Sequence, residues 1–104
     1  MLQIIYEFRK GIFFIRLLGN LNKDNYQEKE ALLEQIITYN KFKYIVINTN
    51  YLEKTDLEGL NLIINLFNKI KENNSDLILC DRYQIVKKLF NLNVPNIKDE
   101  LEVL

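Results

Sequence analysis

The chain has no histidine, no tryptophan, one cysteine, one proline and three glycines. The missing histidine removes the commonest general base and the commonest metal ligand. Neither a Ser-His-Asp nor a Cys-His arrangement can be built from such a composition. A zinc centre would need several thiolates, and Cys80 stands alone. For the same reason no intramolecular disulfide can form, which fits a reducing cytoplasm. Excess charge is also missing, since 14 basic residues balance 14 acidic ones. That balance argues against the basic footprint of a nucleic-acid binder. No apolar run approaches the ~20 residues that span a bilayer. Met1 leads directly into an alternating segment, without the basic stretch and long apolar run of a signal peptide. The expectation is a soluble cytoplasmic protein with no cofactor, no metal, no nucleic-acid partner and no membrane partner.

What is present is a strongly apolar chain, 48% hydrophobic over 104 residues. That is one domain, residues 1–104, able to bury somewhat under ~70% of its unfolded surface without staples. Leu2 to Arg9 alternates as a strand, and Lys10-Gly11 supplies a tight turn. Ile12 to Leu18 reads as a second strand, apolar enough to be buried on both faces. Gly19 to Asn25 reads as a loop, with Asn22 as the N-cap of a helix running to about Tyr39. Leu32, Leu33, Ile36 and Ile37 recur at helical spacing on one face.

Phe42 to Asn48 is expected to be the central strand, followed by a loop from Asn50 to Lys54. A second helix then runs from Asp56 or Leu57 to Lys71, with Leu60, Ile63, Ile64, Phe67 and Ile70 inward. Its solvated face is Asn61, Asn65, Asn68 and Glu72. Asp76 to Cys80 is a short fourth strand, and Cys80 reads as a small core residue. Asp81 to Asn91 is a third helix, with Ile85, Val86, Leu89 and Phe90 inward and Lys87-Lys88 outward. Pro95 blocks its continuation. The stretch from Asn96 to Leu104 is open to three readings: an edge strand, a helical turn, or one after the other. Asp99-Glu100 reads as a solubilising pair near the tail. The order β-β-α-β-α-β-α describes an α/β fold, a small mixed sheet with packed helices.

Function is sought first at the junction Lys54-Thr55-Asp56-Leu57-Glu58-Gly59-Leu60, where the third strand passes into the second helix. Ligands and partners of such units meet the chain at the strand's C-terminal end, and the first helical amides carry partial positive charge. Upstream, Leu18-Gly19-Asn20-Leu21-Asn22 leads into the first helix, and downstream come Leu77-Ile78-Leu79-Cys80 and Ile85-Val86-Lys87-Lys88-Leu89-Phe90. Each string is short, and their order and spacing together carry a resemblance. From Leu2 to Ile97 the chain resembles the STAS domain, the fold of bacterial anti-sigma factor antagonists. The family places an Asp-Ser-Ser-Gly motif before its apolar second helix and a Leu-x-Gly-x-Leu-Asp lead-in before its first.

The resemblance implies a non-catalytic module that binds a protein partner, an anti-sigma factor or a related kinase-like regulator. In the family the first serine of the motif is phosphorylated by that kinase, which switches binding. Aligned on Asp56 and Gly59, the serine positions hold Leu57 and Glu58, and the acidic residue of the lead-in is Asn22. Leu57 has no hydroxyl, so the usual switch cannot operate there and no phosphorylation site is assigned. The partner-binding candidates are Asn22, Asp24 and Asn25 in the first loop, and Tyr51, Thr55, Asp56, Leu57 and Glu58 in the second.

Each candidate also has a structural reading. Thr55 to Glu58 matches a capping box, Thr55 accepting from the Glu58 amide, with Asp56 the competing N-cap. Carboxylates at Asp56 and Glu58 are favourable beside a helix dipole by ~0.3–1 kcal/mol each. As a phosphate mimic Glu58 is a poor copy, because a phosphate carries roughly −1.5 to −2 charge and three acceptor oxygens. Leu57 either anchors a partner or packs beneath the loop. The competing functions are a scaffolding subunit that self-associates, a small-ligand-binding STAS domain, and an enzyme. The last lacks a visible nucleophile beside a base or a convergent pair of carboxylates.

Overall fold

Lys10 and Gly11 both take positive φ, 53° and 80°, and close a two-residue turn. Such a turn matches the twist of the strands it joins. It pairs β1 (Leu2–Arg9) antiparallel to β2 (Ile12–Leu21), from Arg9 opposite Ile12 to Leu2 opposite Gly19. A computed structural model of the chain describes residues 1–86 and 94–104. After the hairpin come α1 (Tyr26–Asn40), β3 (Tyr44–Thr55), α2 (Leu57–Glu72), β4 (Asp76–Cys80), β5 (Asn96–Ile97) and a short 3₁₀ turn, Glu100–Glu102. The five strands lie in the order β1-β2-β3-β4-β5, with every pair after the hairpin parallel. This is the expected small mixed sheet.

Side-chain alternation divides the sheet into two faces. On one, Phe13, Ile15, Leu17, Ile45, Ile47, Leu77 and Leu79 pack with Leu33 and Ile37 of α1 and the apolar face of α2. That helix buries Leu60, Leu62, Ile63, Leu66 and Ile70. Ile64 and Phe67, expected inward, are only half-buried, as are Asn61 and Asn65 of the expected solvated face. In α1, Leu33 and Ile37 are buried as expected, while Leu32 is exposed. The second face carries no long helix among the described residues. There Phe14, Val46 and Cys80 are covered by Ile97, Val103 and Leu104 of the tail. The burial of β2 on both faces, and of Cys80, is as expected.

Several boundaries differ from the sequence reading. The second strand does not stop at Leu18, and the stretch from Asn50 to Lys54 is not a loop. Both strands run on, with Leu18 opposite Tyr51 and Leu21 opposite Thr55, across two irregularities of register. Gly19 allows this with φ +92°, where a Cβ would collide with the Met1 carbonyl oxygen. The Asn22 side chain does accept from the Asp24 amide, at 2.9 Å, but Asn22 is not the N-cap of α1, because the helix starts later, at Tyr26. The expected strand start at Phe42 gives way to Tyr44: Lys41 ends α1 in the left-handed conformation, and Phe42, just after it, stacks on Phe13 with ring centroids 4.1 Å apart. Asp81 precedes rather than begins the third helix. Its carboxylate accepts from the amides of Ile85 and Val86, both at 3.0 Å, and from Thr49 Oγ1 at 2.8 Å. The part of that predicted helix from Lys87 to Asn91 lies outside the described residues. The tail takes the third of its open readings, strand and then helical turn.

Candidate functional site

The junction of β3 and α2 is built around Asp56. The capping box assigned to Thr55 and Glu58 is not formed, because Asp56 is still extended, at φ −124° and ψ 169°, so the helix starts at Leu57, one residue too late for Thr55 to cap it. Asp56 is the N-cap, its Oδ1 accepting from the Gly59 amide at 2.7 Å. Its Oδ2 accepts from the Lys23 amide at 3.2 Å, and its own amide donates to Leu21 O at 3.2 Å. One carboxylate therefore ties the first turn of α2 to the loop before α1. Gly59 completes the closure. A Cβ there would lie 2.5 Å from Leu21 O and 2.6 Å from Asn22 Cα. That distance is inside any allowed contact, so only glycine lets the helix approach the strand end this closely.

The loop is held from within. Asn25 Oδ1 accepts from the Asn22 amide at 3.1 Å, and its Nδ2 donates to Asn20 O at 2.8 Å. The candidates thus divide. Asn22, Asn25 and Asp56 use their side chains to shape the junction. Asp24, Leu57 and Glu58 project from it, all exposed, with Leu57 at 63%. Leu57 anchors nothing beneath the loop. Tyr51, 57% exposed, is not part of this cluster. It precedes Thr55 by four strand residues, about 13 Å along the chain, and lines a hollow on the other face.

That hollow, about 750 Å³, is lined by Arg16, Leu18, Asn48, Asn50, Tyr51 and Arg82, among others. At its base Glu100 accepts from Arg16 Nη2 at 2.7 Å, Arg16 Nε at 2.9 Å and Asn48 Nδ2 at 2.6 Å. Glu7 accepts from Arg16 Nη2 at 2.9 Å. Burial pushes the Glu100 carboxyl up, but its bonds from Arg16 and Asn48 outweigh this and hold it below the ordinary carboxylate range. The same bond to Glu100 is the main reason that the Arg16 guanidinium is held more firmly protonated than usual. Burial pushes the neighbouring Cys80 thiol up to about 11, so it is not a ready nucleophile.

Glu100 therefore does more than solubilise the tail, which corrects the sequence reading of Asp99-Glu100. The signal that could have found this cluster was Arg16, a lone charge inside the apolar run Ile12–Leu18. A half-buried guanidinium set among apolar neighbours calls for a carboxylate partner. Among the described residues, no group of three or more acidic or cysteine side chains is placed to hold a metal ion. No described helix is long and apolar enough to cross a membrane.

The STAS domain pattern matches residues 3–100. An anti-sigma F factor antagonist from Paenibacillus polymyxa is 24% identical over 92 residues, covering 88% of this chain and 79% of that protein. The fold is similar to that of the anti-sigma factor antagonist SpoIIAA in its unphosphorylated form, with TM-score 0.78 and 18% identity over 99% of this chain and 93% of that one. It is also similar to an anti-sigma factor antagonist from Mycobacterium paratuberculosis, with TM-score 0.76 and 14% identity over 98% and 90% of the two chains.

Proposed function

Since the chain belongs to the STAS domain family, we propose that it is a non-catalytic cytoplasmic regulator whose partner is an anti-sigma factor of the kinase type, and that binding is not switched by phosphate at Leu57. One observation carries the reading. An apolar side chain, Leu57, stands exposed at the first position of α2, in the place where the family keeps its serine. Burying one such side chain against a partner contributes about 1.5–3 kcal/mol. Asp24 and Glu58 flank it with exposed carboxylates, which suits an apolar pocket with a basic rim. Asn22, Asn25, Thr55 and Asp56 act indirectly, by fixing the shape of the loop and the helix start. Tyr51 belongs to the binding surface only if the partner also reaches across the sheet end.

The test uses the purified chain, purified anti-sigma factors of the kinase class, and ATP. Calorimetry should show binding that weakens about tenfold or more for Leu57→Asp, as expected when a buried apolar anchor becomes a charge. Mass spectrometry after incubation should show no phosphate between residues 51 and 59. Equal binding by both chains removes the junction from the interface. Phosphate gained anywhere in that stretch overturns the unswitched reading.

A further inference from the structure

β1 is an edge of the sheet, eight residues long and with nothing beside it among the described residues. Proteins guard such edges with proline, bulges, charged side chains, lysine above all, or very short strands. The charges of β1 are Glu7, already paired with Arg16, and Arg9 at its last position. The strand contains no proline and no lysine, and it pairs with β2 without irregularity. The two irregularities lie on the opposite side of β2, against β3. The other edge, β5, is only two residues long. β1 also carries three exposed large apolar residues, Ile5 (41%), Tyr6 (48%) and Phe8 (61%).

The strand is a palindrome in polarity. From Leu2 to Phe8 it reads Leu, Gln, Ile, Ile, Tyr, Glu, Phe, and the pattern of apolar and polar residues is the same in both directions about Ile5. The backbone has matching parity. Arg9 and Ile12 flank the two-residue turn, so they form a hydrogen-bonded pair. Alternation then turns the N–H and C=O groups of Arg9, Glu7, Ile5 and Gln3 toward β2, and those of Phe8, Tyr6, Ile4 and Leu2 outward. A second β1 running antiparallel through a two-fold axis at Ile5 would place Leu2 opposite Phe8, and Ile4 opposite Tyr6. All four carry outward-facing backbone groups. Gln3 would face Glu7, and Ile5 would face its own copy. Every apolar residue meets an apolar one. The single acid meets an amide, and it is already paired with Arg16 at 2.9 Å.

We infer that two copies of this chain pair edge to edge through β1, antiparallel and centred on Ile5, to make one continuous ten-stranded sheet. A closed two-fold pairing uses up the β1 edge of both copies, leaves only the two-residue β5 at each end, and does not propagate into a fibre. The Leu57 platform is left free, because Leu57 starts a helix that follows β3 and lies outside this edge.

Sedimentation velocity on the full chain tests the inference, with two kinds of variant. Tyr6→Pro removes an outward donor without touching the β1–β2 ladder, a placement that edge strands tolerate. Ile5→Lys puts two like charges face to face across the axis. The expected result is a monomer–dimer equilibrium in the natural chain, with the dissociation constant raised about tenfold or more in each variant while circular dichroism stays unchanged. An equimolar mixture of Ile5→Lys and Ile5→Asp chains should dimerise where neither does alone. A chain that stays monomeric as concentration rises overturns the proposal. So does a dimer that survives both variants unchanged, or a charge-swapped mixture that stays monomeric.

Discussion

Asp56 shows how narrowly one residue can decide a junction. Thr55 and Asp56 compete as cap on equal terms in the sequence, because both are good N-cap residues and they are adjacent. The decision comes from the strand pair, whose bond from the Asp56 amide to Leu21 O keeps Asp56 extended and starts the helix at Leu57. No local pattern carries that information. Asp56→Ala should cost about 1 kcal/mol through the lost cap, and somewhat more because the Lys23 amide loses its acceptor too. Asp56→Asn should recover most of it, and urea unfolding of the two variants checks this. Gly59 makes a sharper case. Exchanging an interior helical glycine for alanine ordinarily stabilises by roughly 0.5–1 kcal/mol. Here Gly59→Ala should lower the melting temperature instead, since the new Cβ would meet backbone atoms of Leu21 and Asn22 that cannot step aside. A rise in melting temperature would show that the helix start can shift outward.

Among the elements, β3 and the tail explain each other. The polar stretch after Asn48, from Asn50 to Lys54, reads as a loop because buried asparagines and threonines need partners, and none is near in sequence. The partners arrive from far along the chain. Asn48 donates to Glu100, Thr49 to Asp81, and Asn50 Nδ2 to the Lys98 carbonyl at 2.8 Å. A strand that looks too polar is thus completed by a turn that looks too short to matter. Asp99 and Glu102 close that turn with a capping box. Glu100→Ala should destabilise by about 1–3 kcal/mol, the usual cost of stranding charge-assisted hydrogen bonds, as measured by urea unfolding.

The pH dependence follows from the same group. The folded Glu100 carboxyl sits below its ordinary value of 4.5. Its stabilising contribution is therefore complete above that value and lost as pH falls through the depressed folded one. Acid titrations of the natural chain and of Glu100→Gln should diverge above that window and converge below it. Parallel curves would mean that the carboxylate is not what fastens the tail.

For the whole molecule, the architecture was legible because alternation and helical periodicity are local signals, and they set the order of strands and helices with few errors. Less legible was which face each end of the chain would cover. That depended on Arg16 and Glu100, a pair 84 residues apart. The β3–α2 junction, where binding is proposed, was legible in position. Its composition was not, because three of its candidate polar residues are occupied in shaping the loop and Tyr51 faces a different hollow. The strand order has a consequence in time. Each strand lies beside the one synthesised just before it. No strand must wait for a distant partner, so a nascent chain can lay down its sheet in order of emergence. The exception is the open face, where Arg16 and Asn48 stay without the Glu100 carboxylate until the tail returns. Until then an unfinished chain presents a charged, half-built surface to the ribosome exit and to any chaperone waiting there.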